Sequence, residues 1–216
     1  MTSARPRVGL FVTCLVDLVR PQVGFAAVKL LEQAGCDVEV PPQQTCCGQP
    51  AWNAGADGHA ADIARKVIDA FEPYDYIVAP SGSCAGMLKR HYPEVLAGDA
   101  TYVARARGLA AKTHELMSFL VRVRGMKNIA ATYGGTVCYH DSCSSLREMG
   151  VKGEPRQLLA RVDGLSLNEL KEPQVCCGFG GLFSVKYPEI SERMADDKIA
   201  DSLASGAGVT VILAFI

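Results

Sequence analysis

Cys46-Cys47-Gly48 and Cys176-Cys177-Gly178 stand 130 residues apart, and each follows a lone cysteine at nearly the same distance. Cys14 lies 32 positions before Cys46, and Cys143 lies 33 before Cys176. A spacing used twice marks an internal repeat, so the chain reads as two halves built on one plan. Consecutive Cα atoms are about 3.8 Å apart, below the separation of about 4.4 Å or more usual for a disulfide. Adjacent thiols suit instead two soft ligand positions on one metal or cluster.

Outward from these loops, strands and helices alternate. Val8 to Val12 is a compact apolar run that predicts a buried strand ending at Thr13-Cys14. Pro21 opens a helical pattern that Gly35 stops, Val38 to Val40 predicts a second strand, and Asp57 to Phe71 a second helix. Tyr76 to Ala79 is a third strand, broken by Pro80, with Cys84 near the start of a helix over about 83–91. In the second half Thr136 to Tyr139 leads to His140-Asp141-Ser142-Cys143. A helix over about 155–162, a strand at Leu165 to Leu167, the second cysteine pair, a helix over about 188–203 and a strand from Val209 to Ala214 follow. The expected fold class is α/β: two pseudo-repeated Rossmann-like halves, each a short parallel sheet flanked by helices and carrying a Cys-Cys-Gly loop. The expected division is residues 1–97, a helical connector over 98–130, and 131–216, with the alanine-rich stretch Tyr102 to Val123 as a bridging helix.

Cys14, Cys46, Cys47 and Cys84 make four soft ligands, enough for an iron–sulfur cluster or, alternatively, zinc. Cys143, Cys176 and Cys177 form the second set. The step of 36 positions from Gly48 to Cys84, repeated from Gly178, lands on Ala214. The second site is therefore expected to be short of a cysteine, with zinc a candidate there, and the second half reads as truncated at its C-terminus. Cys36 and Cys138 have no counterpart in the repeat and read as small buried hydrophobes. His140 is a candidate supporting donor or substitute ligand, although capping the turn is the simpler role. His59, His91 and His114 fall on expected helices and read as solvent-facing. Trp52 is expected to shield the first site, and the Gly178–Phe183 stretch resembles a dinucleotide fingerprint only superficially.

At 216 residues and 49% apolar the chain can bury one substantial core or two small ones, and a net charge of −1 gives no pull towards nucleic acid or anionic membranes. No run reaches the roughly 18 apolar residues of a membrane span. Nine cysteines without an export signal point to a reducing cytoplasm and to metal or redox chemistry.

One cysteine, a later Cys-Cys-Gly and a final cysteine, used twice, resembles the CCG cysteine-rich domain family. Its members include one component of heterodisulfide reductase and the iron–sulfur component of glycolate oxidase. Gln44-Thr45-Cys46-Cys47-Gly48-Gln49-Pro50, Ala79-Pro80-Ser81-Gly82-Ser83-Cys84 and Tyr139-His140-Asp141-Ser142-Cys143 are similar to its lactate-utilization branch. The resemblance implies a cytoplasmic [4Fe–4S]-type subunit that helps oxidise L-lactate to pyruvate. It also implies two partners, a ferredoxin-like iron–sulfur protein and a third subunit. Three departures stand out: Ser81 where the wider family often has the first cysteine of a Cys-x-x-Cys pair, Ser144 where close relatives commonly have histidine, and a chain that ends before theirs. Cluster-borne electron transfer is the leading reading. Thiol or disulfide chemistry like that of heterodisulfide reductase, and a zinc-bound assembly module, are the alternatives.

Overall fold

The structure, a computed structural model, describes residues 4–212. Among the described residues seven strands form two sheets: β1 (Arg7–Leu10), β2 (Asp37–Glu39), β3 (Tyr76–Ala79) and β4 (Thr113–Glu115) in the first, β5 (Thr132–His140), β6 (Asp163–Glu169) and β7 (Val209–Ile212) in the second. The orders are β2-β1-β3-β4 and β6-β5-β7, with every pairing parallel. The first three strands of each half thus share one order and one direction. The α/β expectation of two halves with short parallel sheets holds.

Alternation along the strands divides the core of the first half. Ile77 and Ala79 face a cluster with Phe11, Val67, Ile68, Phe71 and Met87, while Val78 joins Val8, Leu10, Leu31, Phe119 and Leu120 on the other face. Helix Asp57–Phe71 covers the first face through Ala60, Ala64, Val67, Ile68 and Phe71, one stripe at helical spacing. Leu158, from the second half, completes the second cluster, so the apolar core continues between the halves.

The stretch Tyr102 to Val123 is not one bridging helix. Helix Tyr102–Ala111 ends where the Lys112 N–H turns back to the Leu109 carbonyl, and the Ile77 N–H then bonds to the Lys112 carbonyl. Thr113 and Glu115 are buried on either side of half-buried His114, and the segment adds a fourth strand to the open edge of β3. Glu115 next caps a helical turn, its carboxylate accepting from the N–H groups of Met117 at 3.0 Å and Ser118 at 2.9 Å. A π-helical segment, Phe119–Val123, follows.

The halves meet through two short helices, Gly82–Gly86 after β3 and Cys143–Arg147 after β5. A Cβ on Gly82 would lie 2.0 Å from Ser145 Oγ and 2.7 Å from its Cα, so only glycine lets the two backbones approach this closely. Arg122 pairs with Glu154 and donates to the Gly150 carbonyl at 2.7 Å, and Arg90 Nε donates to the Glu148 carbonyl at 3.2 Å.

Two consequences are open to measurement. Gly82→Ala inserts a methyl where backbone already stands, and overpacking of this kind costs about 1–3 kcal/mol. Thermal unfolding should therefore fall by several degrees, and an unchanged midpoint would show that the halves do not bear on each other there. Burial of Glu115 pushes its carboxyl up to about 7 from an ordinary 4.5. The native state then holds a proton between these values that the unfolded chain has released, so stability falls as pH rises from about 4.5 through about 7. Between pH 4 and 8 the wild type should lose up to about 3 kcal/mol relative to Glu115→Gln in urea unfolding. A difference independent of pH would remove this role.

Candidate functional site

Because paired parallel strands end at the same edge, the loops after β1, β2 and β3 bring Cys14, Cys46, Cys47 and Cys84 together. Cys14 is the first residue of helix Cys14–Val19, and its Sγ lies 3.8 Å from Cys46 Sγ. Two thiolates bound tetrahedrally to one ion at about 2.3 Å would stand about 3.8 Å apart. Cys47 and Cys84 are buried in one cluster against which Cys46 packs, so the cysteines run inwards from the half-buried Cys14 to the buried Cys84. Cys46 is held above its ordinary value mainly by its hydrogen bond with Cys47, then by burial. For Cys47 the contact with Cys46 acts downwards, but the contact with Cys84 and burial raise it overall. Burial, followed by the charge of Cys46, raises Cys14. Crowded thiols resist ionising together, and a cation among them reverses that balance. Among the described residues no three His, Cys, Asp or Glu side chains converge on a point as they stand. The sulfurs make a run rather than a closed cage, and their softness and spacing fit a thiolate-bound metal group.

The backbone around the run is specialised. Thr13 has φ +77°, a left-handed conformation that a β-branched residue adopts only when its surroundings enforce it. Its Oγ1 accepts from the Val16 N–H at 3.3 Å and caps the helix that Cys14 begins. Gln44 Oε1 accepts from the Val12 N–H at 3.0 Å, tying the second cysteine loop to the first. Gly48 and Gly178 have φ +85° and +81°, so the turn after each cysteine pair is the same left-handed one. In both halves the glycine N–H faces the first sulfur of the pair, at 3.4 Å from Gly178 N to Cys176 Sγ.

In the second half Cys143, Cys176 and Cys177 are all half-buried. They line a cavity of about 30 Å³ together with His140, Ser142, Ser144, Phe179 and, from the first half, Ser83. Burial and a hydrogen bond with Cys176 push the Cys143 thiol up to about 11. The Ala214 position lies outside the described residues. Cys36 and Cys138 are buried, Cys36 in the apolar core and Cys138 3.3 Å from Thr210 Oγ1 on the neighbouring strand. Trp52 packs at the edge of the cluster that contains Cys47 and Cys84.

Two histidines differ from expectation. His114 lies on β4, half-buried beside Tyr76 and Phe119, and burial lowers it to about 4. His91 is half-buried near Trp52, Glu94 and Glu148. His59 is exposed on its helix. Sequence reasoning also passed over Arg156. Its guanidinium pairs with the fully buried Asp141 at 2.8 and 3.1 Å and with Glu169 at 2.7 and 2.9 Å, and lies over the Tyr139 ring. This clamp fixes the loop between β5 and Cys143, and no local pattern announces a pair 15 residues apart.

The profile of the CCG cysteine-rich domain matches residues 8–89 and 137–214, one match in each half. Lactate utilization protein A of Geobacillus kaustophilus (strain HTA426) is 50% identical over 193 residues, covering 89% of this chain and 80% of that protein. The protein of the same name from Bacillus cytotoxicus is 47% identical over 201 residues, covering 93% and 84%. The one from Bacillus subtilis (strain 168) is 44% identical over 205 residues, covering 95% and 86%.

Removing the cation from the clamp strands a buried carboxylate, which typically costs about 3–5 kcal/mol. Arg156→Ala should lower stability on that scale in denaturant titration. Adding Asp141→Asn should recover much of the loss, and strictly additive effects would show that the pair is not coupled.

Proposed function

This chain belongs to the CCG cysteine-rich domain family, and we propose that it is an iron–sulfur electron-transfer subunit of a cytoplasmic assembly that oxidises L-lactate to pyruvate. The role in lactate utilization comes from the name shared by its relatives. The observation that carries the redox reading is the gathering of four cysteines from three loops at one sheet edge, a thiolate set of the kind that holds an iron–sulfur cluster. A cluster, when bound, supplies one-electron carriage. Cys14, Cys46, Cys47 and Cys84 would hold it, and the N–H groups of Gly48 and Gln49, which face Cys46 and Cys47, would stabilise negative charge on sulfur. Apolar packing around Cys47 and Cys84 keeps water from the inner end of the run, while Cys14 and Cys46 lie towards the surface, where a partner's electron carrier can approach. The proposed partners are the ferredoxin-like and third lactate-utilization subunits. Among the described residues no helix is long and apolar enough to cross a membrane.

Thiol or disulfide chemistry has one observation in its favour. Cys14 and Cys46 border a cavity of about 370 Å³ that also touches Asp17, Leu18, Pro41 and Gln44, large enough for a small thiol. Turnover of a disulfide by the isolated chain would select that chemistry.

Iron, acid-labile sulfide and zinc should be measured on anaerobically purified wild type and on the Cys46→Ser/Cys47→Ser double variant. About four irons and four sulfides per chain, lost in the variant, are expected for a cluster on the first cysteine set. Stoichiometric zinc without sulfide would end the electron-transfer reading and leave a zinc-bound assembly module.

A further inference from the structure

We propose that His140 completes the second cysteine set, its Nε2 joining Cys143, Cys176 and Cys177 around a single zinc ion. The proposal rests on reading the cysteine sets as metal sites, but not on what the first set holds.

A polar ring stands where the repeat has an apolar one. His140 stands three residues before Cys143, the place that Phe11 takes before Cys14. Phe11 is fully buried in the apolar core of the first half, and His140 is 1% exposed. A buried imidazole where the repeat has a phenyl ring costs desolvation unless both nitrogens are satisfied. One of them is: Nδ1 lies 2.9 Å from the Pro173 carbonyl. A carbonyl only accepts, so Nδ1 carries the proton and Nε2 is left as a bare lone pair. That nitrogen is buried and has no hydrogen-bond partner. A ring whose Nδ1–H is held by a backbone carbonyl while Nε2 is bare has the tautomer and orientation of a metal-ligating histidine.

The surroundings agree with a single ion. His140 and the three thiols line the same cavity of about 30 Å³, room for one ion rather than a four-iron core. Three thiolates and one imidazole are a structural zinc set. The imidazole is fixed from several sides. His140 ends β5 in register with Ile212 of β7, the Asp141 N–H bonds to the same Pro173 carbonyl at 2.9 Å, and the Asp141 carboxylate is locked by Arg156. The four residues line one space, and no three of their donors converge on a point as they stand, so the thiols would turn inward as they bind.

The test uses the full-length chain in the Cys46→Ser/Cys47→Ser background, which disables the first set and leaves the second intact. Zinc K-edge absorption should show three sulfurs at about 2.3 Å and one nitrogen at about 2.0–2.1 Å. His140→Phe copies the residue of the first half and keeps the site packed, so loss of fold is not the expected result. In that variant the nitrogen shell should vanish, and zinc affinity, read by chelator competition, should fall at least about tenfold. A zinc shell and affinity unchanged by His140→Phe would overturn the proposal. Iron with sulfide bound at this set whatever stands at position 140 would overturn it too. Failure of the iron reading for the first set would appear as missing iron in wild-type protein and would leave these outcomes untouched.

Discussion

Strands that pair in parallel must all finish at one edge of their sheet, and each half of this chain exploits that constraint. Helices return the chain along the sheet, so the loops after β1, β2 and β3 emerge side by side although their cysteines are up to 70 residues apart in sequence. The second half, with the same strand order, gathers its own three cysteines in the same way. Crevices at the carboxyl ends of parallel strands commonly receive ligands, and here the crevice is lined with sulfur.

Gathering thiols has an electrostatic cost that shapes the rest of the site. Crowding and burial together hold Cys14, Cys46, Cys47 and Cys143 towards their protonated forms, although single contacts, such as that of Cys46 on Cys47, act the other way. The chain offsets part of this with N–H groups at the glycine turns, positioned by the left-handed backbone at Gly48 and Gly178. It holds the geometry with a strained Thr13 in one half and a buried ion pair in the other. The two halves thus reach the same arrangement of cysteines with different supports, and these differences mark where they have diverged.

Much of the fold was legible because its signals are local. Tyr76–Ala79 and Asp57–Phe71 lie where an apolar run stopped by Pro80 and a helical stripe ending at Phe71 put them. Thr113-His114-Glu115 is a strand only because β3 presents an unpaired edge to it, and three polar residues carry no period of their own. Helix Cys14–Val19 was missed because its start depends on the unusual backbone at Thr13 rather than on composition. The cysteines were found by spacing, which survives folding unchanged. The clamp of Asp141 by Arg156 and the bare nitrogen of His140 arise from tertiary neighbours, and a lone histidine at a strand end gives the same sequence signal whether it caps a turn or faces a cavity.

At the crossing of helices Gly82–Gly86 and Cys143–Arg147, a bare glycine backbone lies directly against Ser145. Cys84 is two positions beyond that glycine, and Cys143 two positions before that serine. Flexible side chains at such a crossing would act as a cushion, taking up a shift of one helix before the other felt it. Backbone against backbone has almost no give, because packed interiors compress little. Whatever moves one cysteine-bearing helix must therefore displace the other, and the chain is geared at its middle rather than hinged there.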